Sequence, residues 1–349
     1  MSRNLDLALN LLSGVYQKAM LNILLKTEEL VRSGRSTAHA RAALQEVTLI
    51  LQELNGFSDE WIQQTIPAAY REGWDETFRL YDKKLGAELS YSSFAKVNQQ
   101  AVEVVAYNLR DGLQGAHQQV GRQVQDIYRK VGLENAQSRL IEGEAYKKAS
   151  AKMKAQLITQ KIHAFKDAAG RMWTLDSYCT MVARTTTREA VTFGTMNRAL
   201  AGGYDLVMIS EHHPTCELCA PLQGKVYSLT GQTPGYPLYE NFVPVHPNCL
   251  HNIRVYIPRY DSEAESRKAY SNTSLAKDPR SDTEKAAYGQ TQAANQQLRD
   301  LRAQYQRYVG RLGEEAGTIQ NFAQSKKRET DRYKELQSLY REVGKRSGG

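Results

Sequence analysis

From the first residue to about residue 160, apolar side chains recur at helical spacing. Leu5, Leu9, Leu12, Tyr16, Ala19, Ile23 and Leu30 trace one stripe and predict a helix that stops at Gly34. Ser36 is placed to cap a second helix carrying Ala43, Val47, Ile50 and Leu51, with Asn55-Gly56 as its expected stop. Ser58-Asp59-Glu60 before Trp61 reads as a new helix start, which Pro67 is expected to break or kink. From about Ser92 to Val131 a long helix is predicted on Phe94, Val97, Ala101, Val105, Val120, Val124 and Ile127. Its middle is rich in Gln and is expected to face solvent or a partner.

The pattern changes near residue 162. Asp167-Ala-Ala-Gly170 between Phe165 and Met172-Trp173 is a hairpin signal. Thr174 or Asp176 then caps a helix through Tyr178, Met181, Val182, Phe193, Met196 and Leu200, closed by Gly202-Gly203. Asp205–Ile209, Val226-Tyr227 and Asn252–Ile257 are strand candidates. Six of the nine prolines fall between Pro214 and Pro247, which forbids regular helix or a central strand there. That stretch must be loops held in shape by something other than a backbone ladder.

Residues 259–297 are polar and read as a linker with some helix. A heptad follows. Leu298, Tyr305, Leu312, Ile319, Lys326, Tyr333 and Tyr340 stand seven apart. Leu301, Tyr308, Glu315, Phe322, Glu329, Leu336 and Val343 fall three residues after each, so a coiled-coil-like helix is expected. Residues 298–349 hold twelve Lys and Arg against seven Asp and Glu, so its outer face would suit phosphate. The predicted class is therefore α+β: a helical region at 1–160, a small α+β core at 161–258, a polar linker at 259–297 and a basic heptad-patterned tail at 298–349.

The proline-rich loops carry the candidate chemistry. Cys216-x2-Cys219 and His246-x2-Cys249 are two short ligand pairs that can close on one tetrahedral ion, and thiolate with imidazole is the donor set Zn²⁺ favours. His251 and His212 are alternate ligands. Four protein ligands would fill the shell, so the expected role of the metal is structural. Cys179, on a helix beside Tyr178 and Met181, reads as a small buried apolar group. No nucleophile elbow, H-E-x-x-H or phosphate loop is present, and no catalytic residue is assigned.

Composition adds little. The net charge is +8 over 349 residues, which points to an anionic partner such as nucleic acid. Four cysteines do not make a disulfide scaffold in so long a chain. No apolar run approaches the roughly 18 residues of a membrane span, and the first residues make a poor signal peptide, so a soluble protein made in the cytosol is expected.

The stretch Phe165-Lys-Asp-Ala-Ala-Gly-Arg-Met-Trp173, then Tyr178–Thr185, Asp205–His212, Cys216–Ser228 and His246-Pro-Asn-Cys249-Leu-His251, resembles the phage minor capsid proteins of the minor capsid protein 2 type, related to the Mu F-type head-morphogenesis family. The likeness is good over about 160–258, loose over the N-terminal helices, and does not reach past Arg259. Leu250 stands where the common pattern has Arg, and His251 where many relatives have Cys. Arg171, Arg184, Gln223 and Lys225 match recurrent polar positions, which makes Arg171, Arg184 and Lys225 candidate phosphate or partner contacts. The resemblance implies a non-enzymatic virion component, made in the host cytoplasm and lodged in the capsid interior or portal vertex. Its implied partners are the portal protein, the major capsid or scaffold protein and packaged DNA, with self-association through 298–349. The competing expectations are a zinc-dependent nucleic-acid-binding protein without a virion role, and an enzyme fused to a head domain.

Overall fold

A computed structural model of the protein describes residues 2–32, 37–81, 85, 96–138, 165–166, 172–240 and 242–346. The fold is a mostly helical α+β fold with one small antiparallel sheet, the class expected from the sequence. Three long helices come first: α1 (Arg3–Arg32), α2 (Thr37–Glu76) and α3 (Lys96–Ser138). A two-residue hairpin, β1 (Phe165–Lys166) and β2 (Met172–Trp173), pairs Phe165 with Trp173. Then come α4 (Leu175–Ala201), β3 (Leu206–Ile209), β4 (Val226–Ser228) and β5 (Ile253–Val255). The chain closes with α5 (Ala264–Ser271), α6 (Asp282–Leu312), α7 (Ile319–Lys327) and α8 (Asp331–Arg346).

Helix α2 departs from the expected break points. It runs unbroken through Asn55-Gly56 and through Pro67. Leu51, Leu54, Trp61, Ile62, Ile66, Ala69 and Tyr70 stay on one buried stripe across both positions. Burial of that stripe outweighs about 1 kcal/mol for the glycine and about 3 for the proline. In α3 the apolar face is likewise continuous: Leu109, Leu113, Ala116 and His117 are buried in the Gln-rich middle, and the glutamines take the other faces.

Two compact units emerge, each assembled from three separate stretches: 1–11, 59–112 and 181–294 in one, 12–58, 113–180 and 295–349 in the other. Their cut at 294/295 falls beside the compositional boundary near 297, whereas those at 11/12, 58/59, 112/113 and 180/181 have no counterpart near 160 or 258. In the first unit α2 and α4 touch through glycine. A Cβ on Gly73 would lie 2.0 Å from the Val191 carbonyl oxygen, and one on Gly194 would lie 2.0 Å from the Tyr70 carbonyl oxygen. Thr195 Oγ1 donates to the Gly73 carbonyl at 3.2 Å across this contact. The Arg198 guanidinium lies over the rings of Trp74 and Phe78, at 5.4 and 5.2 Å. Helix α4 ends where expected, with Gly203 at φ +77° and Gly202 N–H donating to Arg198 O.

The sheet order is β4-β3-β5, with β3 antiparallel to both neighbours. All four β3 residues are buried. Val207 and Ile209 pack on Leu222, Tyr227, Tyr239, Val243 and Ile253, and Leu206 and Met208 pack on Val226 and Tyr256. The proline-rich loops thus carry more apolar material than their composition suggests. Tyr227, Tyr239 and Phe242 make a ring cluster with centroids 4.9–6.1 Å apart. Asp205 adds a polar knot: its carboxylate accepts from Ser228 Oγ, from Thr230 N and Oγ1 at 2.8 and 2.7 Å, and from Thr233 Oγ1 at 2.6 Å. Burial raises the Asp205 pKa, but these bonds outweigh it and bring it down to about 2.

The segment expected as a polar linker is structured. Ser271 Oγ accepts from Val226 N–H at 2.9 Å, Asn272 Nδ2 donates to Gly235 O at 2.9 Å, and Arg280 Nη1 donates to Thr215 O at 2.9 Å. The segment is fastened by side-chain to backbone hydrogen bonds, which hydropathy does not report.

In the second unit the expected single heptad helix is divided into α6, α7 and α8. Gly313 and Gly317 adopt φ +62° and +67°, and Glu329 adopts +48° between α7 and α8. The a/d stripe is thereby consumed within the chain. Tyr305, Tyr308, Phe322, Tyr333 and Leu336 bury one another, with Leu21 and Leu25 of α1 packed against them. The Tyr308 and Tyr340 rings stack at 4.4 Å. Two polar heptad positions find partners: Lys326 Nζ donates to Gln304 Oε1 at 2.5 Å and Glu315 pairs with Arg332 at 3.3 Å. Tyr305, Tyr308, Phe322, Tyr333 and Leu336 of the heptad stripe are thus covered within the chain, while Leu298 at its start is exposed.

Candidate metal centre

The antiparallel sheet brings the two ligand pairs together. It sets the C-terminal end of β3 beside the first residues of β4 and β5: Met208 pairs with Val226 and Ile209 with Ile253. The loop after β3 carries Cys216 and Cys219, and the loop before β5 carries His246, Cys249 and His251. Both therefore emerge at one end of the sheet. Each pair is a tight turn, with Ala220 N–H donating to Cys216 O at 3.0 Å and Cys249 N–H donating to His246 O at 2.9 Å. Asn248, at φ +63°, makes the second turn possible.

The donors close into two overlapping trios. Cys216, Cys219 and His246 form one; Cys219, Cys249 and His251 form the other, with all donor atoms of a trio within 4.8 Å of one another. Cys219 belongs to both. All four residues expected to share one ion are thus gathered in one place, but as two sets. Cys219 and Cys249 are each 1% exposed and His251 4%. The closest approaches are Cys219 Sγ to Cys249 Sγ at 3.8 Å, Cys249 Sγ to His251 Nδ1 at 3.6 Å and Cys216 Sγ to His246 Nε2 at 3.2 Å. Zn–S bonds of about 2.3 Å and Zn–N bonds of about 2.0–2.1 Å at tetrahedral angles put neighbouring donors about 3.8 Å (S to S) and about 3.5–3.6 Å (S to N) apart. The donor set and its spacing fit a thiolate–imidazole metal site. These are the two such groups among the described residues.

The thiols are electrostatically distinct. The bond from Cys219 lowers the Cys249 pKa against the opposing effect of burial. Cys219 is raised by that same bond and by burial. Cys179 is fully buried, and burial pushes its thiol up, which makes it the inert packed group expected.

The other sequence candidates fall differently. His212 joins neither trio; its Nε2 lies 3.0 Å from Ser210 Oγ and its ring meets His251 edge-on at 4.9 Å. Burial lowers its pKa, aided by neighbouring His251. Arg184 Nη1 donates to Asn248 Oδ1 at 3.2 Å, so it buttresses the second turn. Lys225 is 1% exposed; its Nζ donates to Thr273 O at 2.5 Å and lies 5.4 Å from the Tyr270 ring. The ammonium thereby ties the turn that follows α5 to the start of β4. Arg171 lies outside the described residues. Two supporting residues had no motif to reveal them. Arg188 Nη1 donates to Leu250 O at 3.0 Å beside the second turn, where Arg184 also binds, and Arg280 donates to Thr215 O beside the first.

The sequence profile of the family described as phage minor capsid protein 2 matches residues 36–338. The chain belongs to this family. The match extends through α5, α6 and α7 into α8, well past Arg259, where the resemblance read from motifs had ended. No curated protein and no solved structure matches the chain. Membership in a phage minor capsid family supports a structural role in the virion. No described helix is long and apolar enough to cross a membrane.

Proposed function

We propose that the protein is a minor structural component of a tailed-phage head, acting during head assembly at the portal vertex with portal, major capsid or scaffold protein as its partners. The family match over 36–338 is the observation that carries this reading. The protein works by binding, without turnover. Its twelve basic residues beyond 297 supply contacts to packaged DNA, a term that weakens steeply as salt rises. Protein identification in purified DNA-filled and empty heads tests the proposal. A few copies per particle, and co-purification with portal protein from assembly intermediates, are expected. Absence from both particle types would sink it, and DNA affinity retained without any head protein would favour the nucleic-acid-binding alternative.

Within that role the Cys/His cluster holds one structural Zn²⁺ through Cys216, Cys219, Cys249 and one of the histidines His246 and His251. Tetrahedral spacing of the buried sulfurs and imidazole supports this. Bound zinc would keep the thiols ionised and fix the two turns against each other. Elemental analysis of protein prepared without oxygen should find about one zinc per chain.

A further inference from the structure

His246 and His251 both turn a ring nitrogen toward the sulfurs, and the hydrogen bonds on their far sides fix which nitrogen that is. The backbone N–H of His212 donates to Gln223 Oε1 at 2.6 Å. A backbone N–H only donates, so the Gln223 atom facing it is the amide oxygen. The same oxygen lies 2.8 Å from His251 Nε2. An amide oxygen only accepts, so His251 Nε2 carries a proton, and in the neutral ring that a metal requires the lone pair is on Nδ1, 3.6 Å from Cys249 Sγ. His246 is the mirror case. Its Nδ1 is 2.9 Å from the Pro247 carbonyl oxygen and must donate, which leaves Nε2 facing Cys216.

We infer that His251 binds the metal through Nδ1 and that Gln223 is its positioning residue, while His246 stands outside the shell. Three observations choose between the rings. The 3.6 Å approach of His251 matches a tetrahedral edge, whereas the 3.2 Å approach of His246 requires an angle compressed to about 95° at bond lengths normal for zinc. His251 is buried among Cys219, Cys249 and the His212 ring, whereas His246 is partly exposed. The Gln223 anchor reaches across from another loop and is itself held by the His212 backbone; His246 is anchored only to the carbonyl of the next residue. A carbonyl or carboxylate on the far nitrogen is the usual device that orients a metal-bound imidazole and raises its basicity. Cys216, which shares its turn with Cys219, would supply the fourth donor.

This inference rests on the zinc reading, and the opposite protonation of the two rings separates the outcomes. The full-length chain, reduced, loaded with one equivalent of Zn²⁺ and labelled with ¹⁵N at histidine, is to be observed by long-range ¹H–¹⁵N correlation. One imidazole with metal on Nδ1 and the proton on Nε2 is expected, lost in His251→Ala and kept in His246→Ala. Gln223→Leu should weaken zinc about 10- to 100-fold in competition with a chromophoric chelator, and Gln223→Glu, which still accepts, should recover most of it. A metal-bound imidazole coordinated through Nε2 and lost in His246→Ala overturns the assignment, and so does bound zinc with no imidazole attached. If the wild-type chain takes up no zinc, elemental analysis shows it directly and the zinc reading falls together with the ligand assignment. The wild-type spectrum decides even if a variant fails to fold.

Discussion

The loops around the sheet and the three C-terminal helices reach a defined shape by different means. At 210–252 the apolar core is small and prolines exclude a continuous ladder. Shape there comes from directed contacts: an aspartate knot, three aromatic rings, arginines on the two turns and a sulfur–nitrogen cluster. At 301–340 most of the buried contact is undirected, with Tyr305, Tyr308, Phe322, Tyr333 and Leu336 burying one another and a few polar pairs such as Lys326–Gln304 at the margin. Directed contacts fail abruptly when one partner goes, because a buried polar group or thiolate is left unmatched. Apolar packing degrades in proportion to the volume removed.

The sharpest break of this comparison is metal removal. Cys219→Ser, or a strong chelator, should destabilise the first unit by on the order of 5 kcal/mol or more. Amide exchange should speed up at 206–257 and stay unchanged at 305–336. Equal effects at both places, or none at either, would show that the cluster does not hold the loops. The complementary change is Phe322→Ala, at a side chain 1% exposed. About 3–5 kcal/mol of stability should be lost by denaturant unfolding, with zinc content unchanged.

Gly194→Ala examines the frame under the loops. The added methyl would sit 2.0 Å from Tyr70 O, so α2 and α4 must part, costing about 1–3 kcal/mol. A melting temperature equal to wild type would mean that this helix contact is loose. The smallest expected effect is at Asp205, whose carboxyl is held at about 2 in the folded protein against 3.8 ordinarily. A depressed carboxylate stabilises above its unfolded pKa and stops doing so as pH falls through its folded one. Asp205→Asn should therefore be less stable than wild type at pH 7, with the gap closing between about pH 4 and pH 2. A gap that does not change over that range would assign its role to shape and not to charge.

Much of the molecule was legible in the chain. The stripes of α1, α3 and α4, the hairpin at Phe165 and Trp173 and the three sheet strands follow from apolar periodicity and glycine punctuation, because both record local backbone needs. That Cys216, Cys219, His246 and Cys249 stand in two short turns was also legible, since a C-x-x-C and an H-x-x-C turn are local objects. Three things were not. The continuity of α2 past Asn55-Gly56 and Pro67 was decided by burial on both sides of the break signals. Periodicity says that a residue is covered but not by what, so the tail stripe read equally well as a seam for another helix and as the inward face of a folded cluster. The choice between His246 and His251 hangs on Gln223 and the His212 backbone. These meet only because an antiparallel sheet sets the end of β3 beside the starts of β4 and β5.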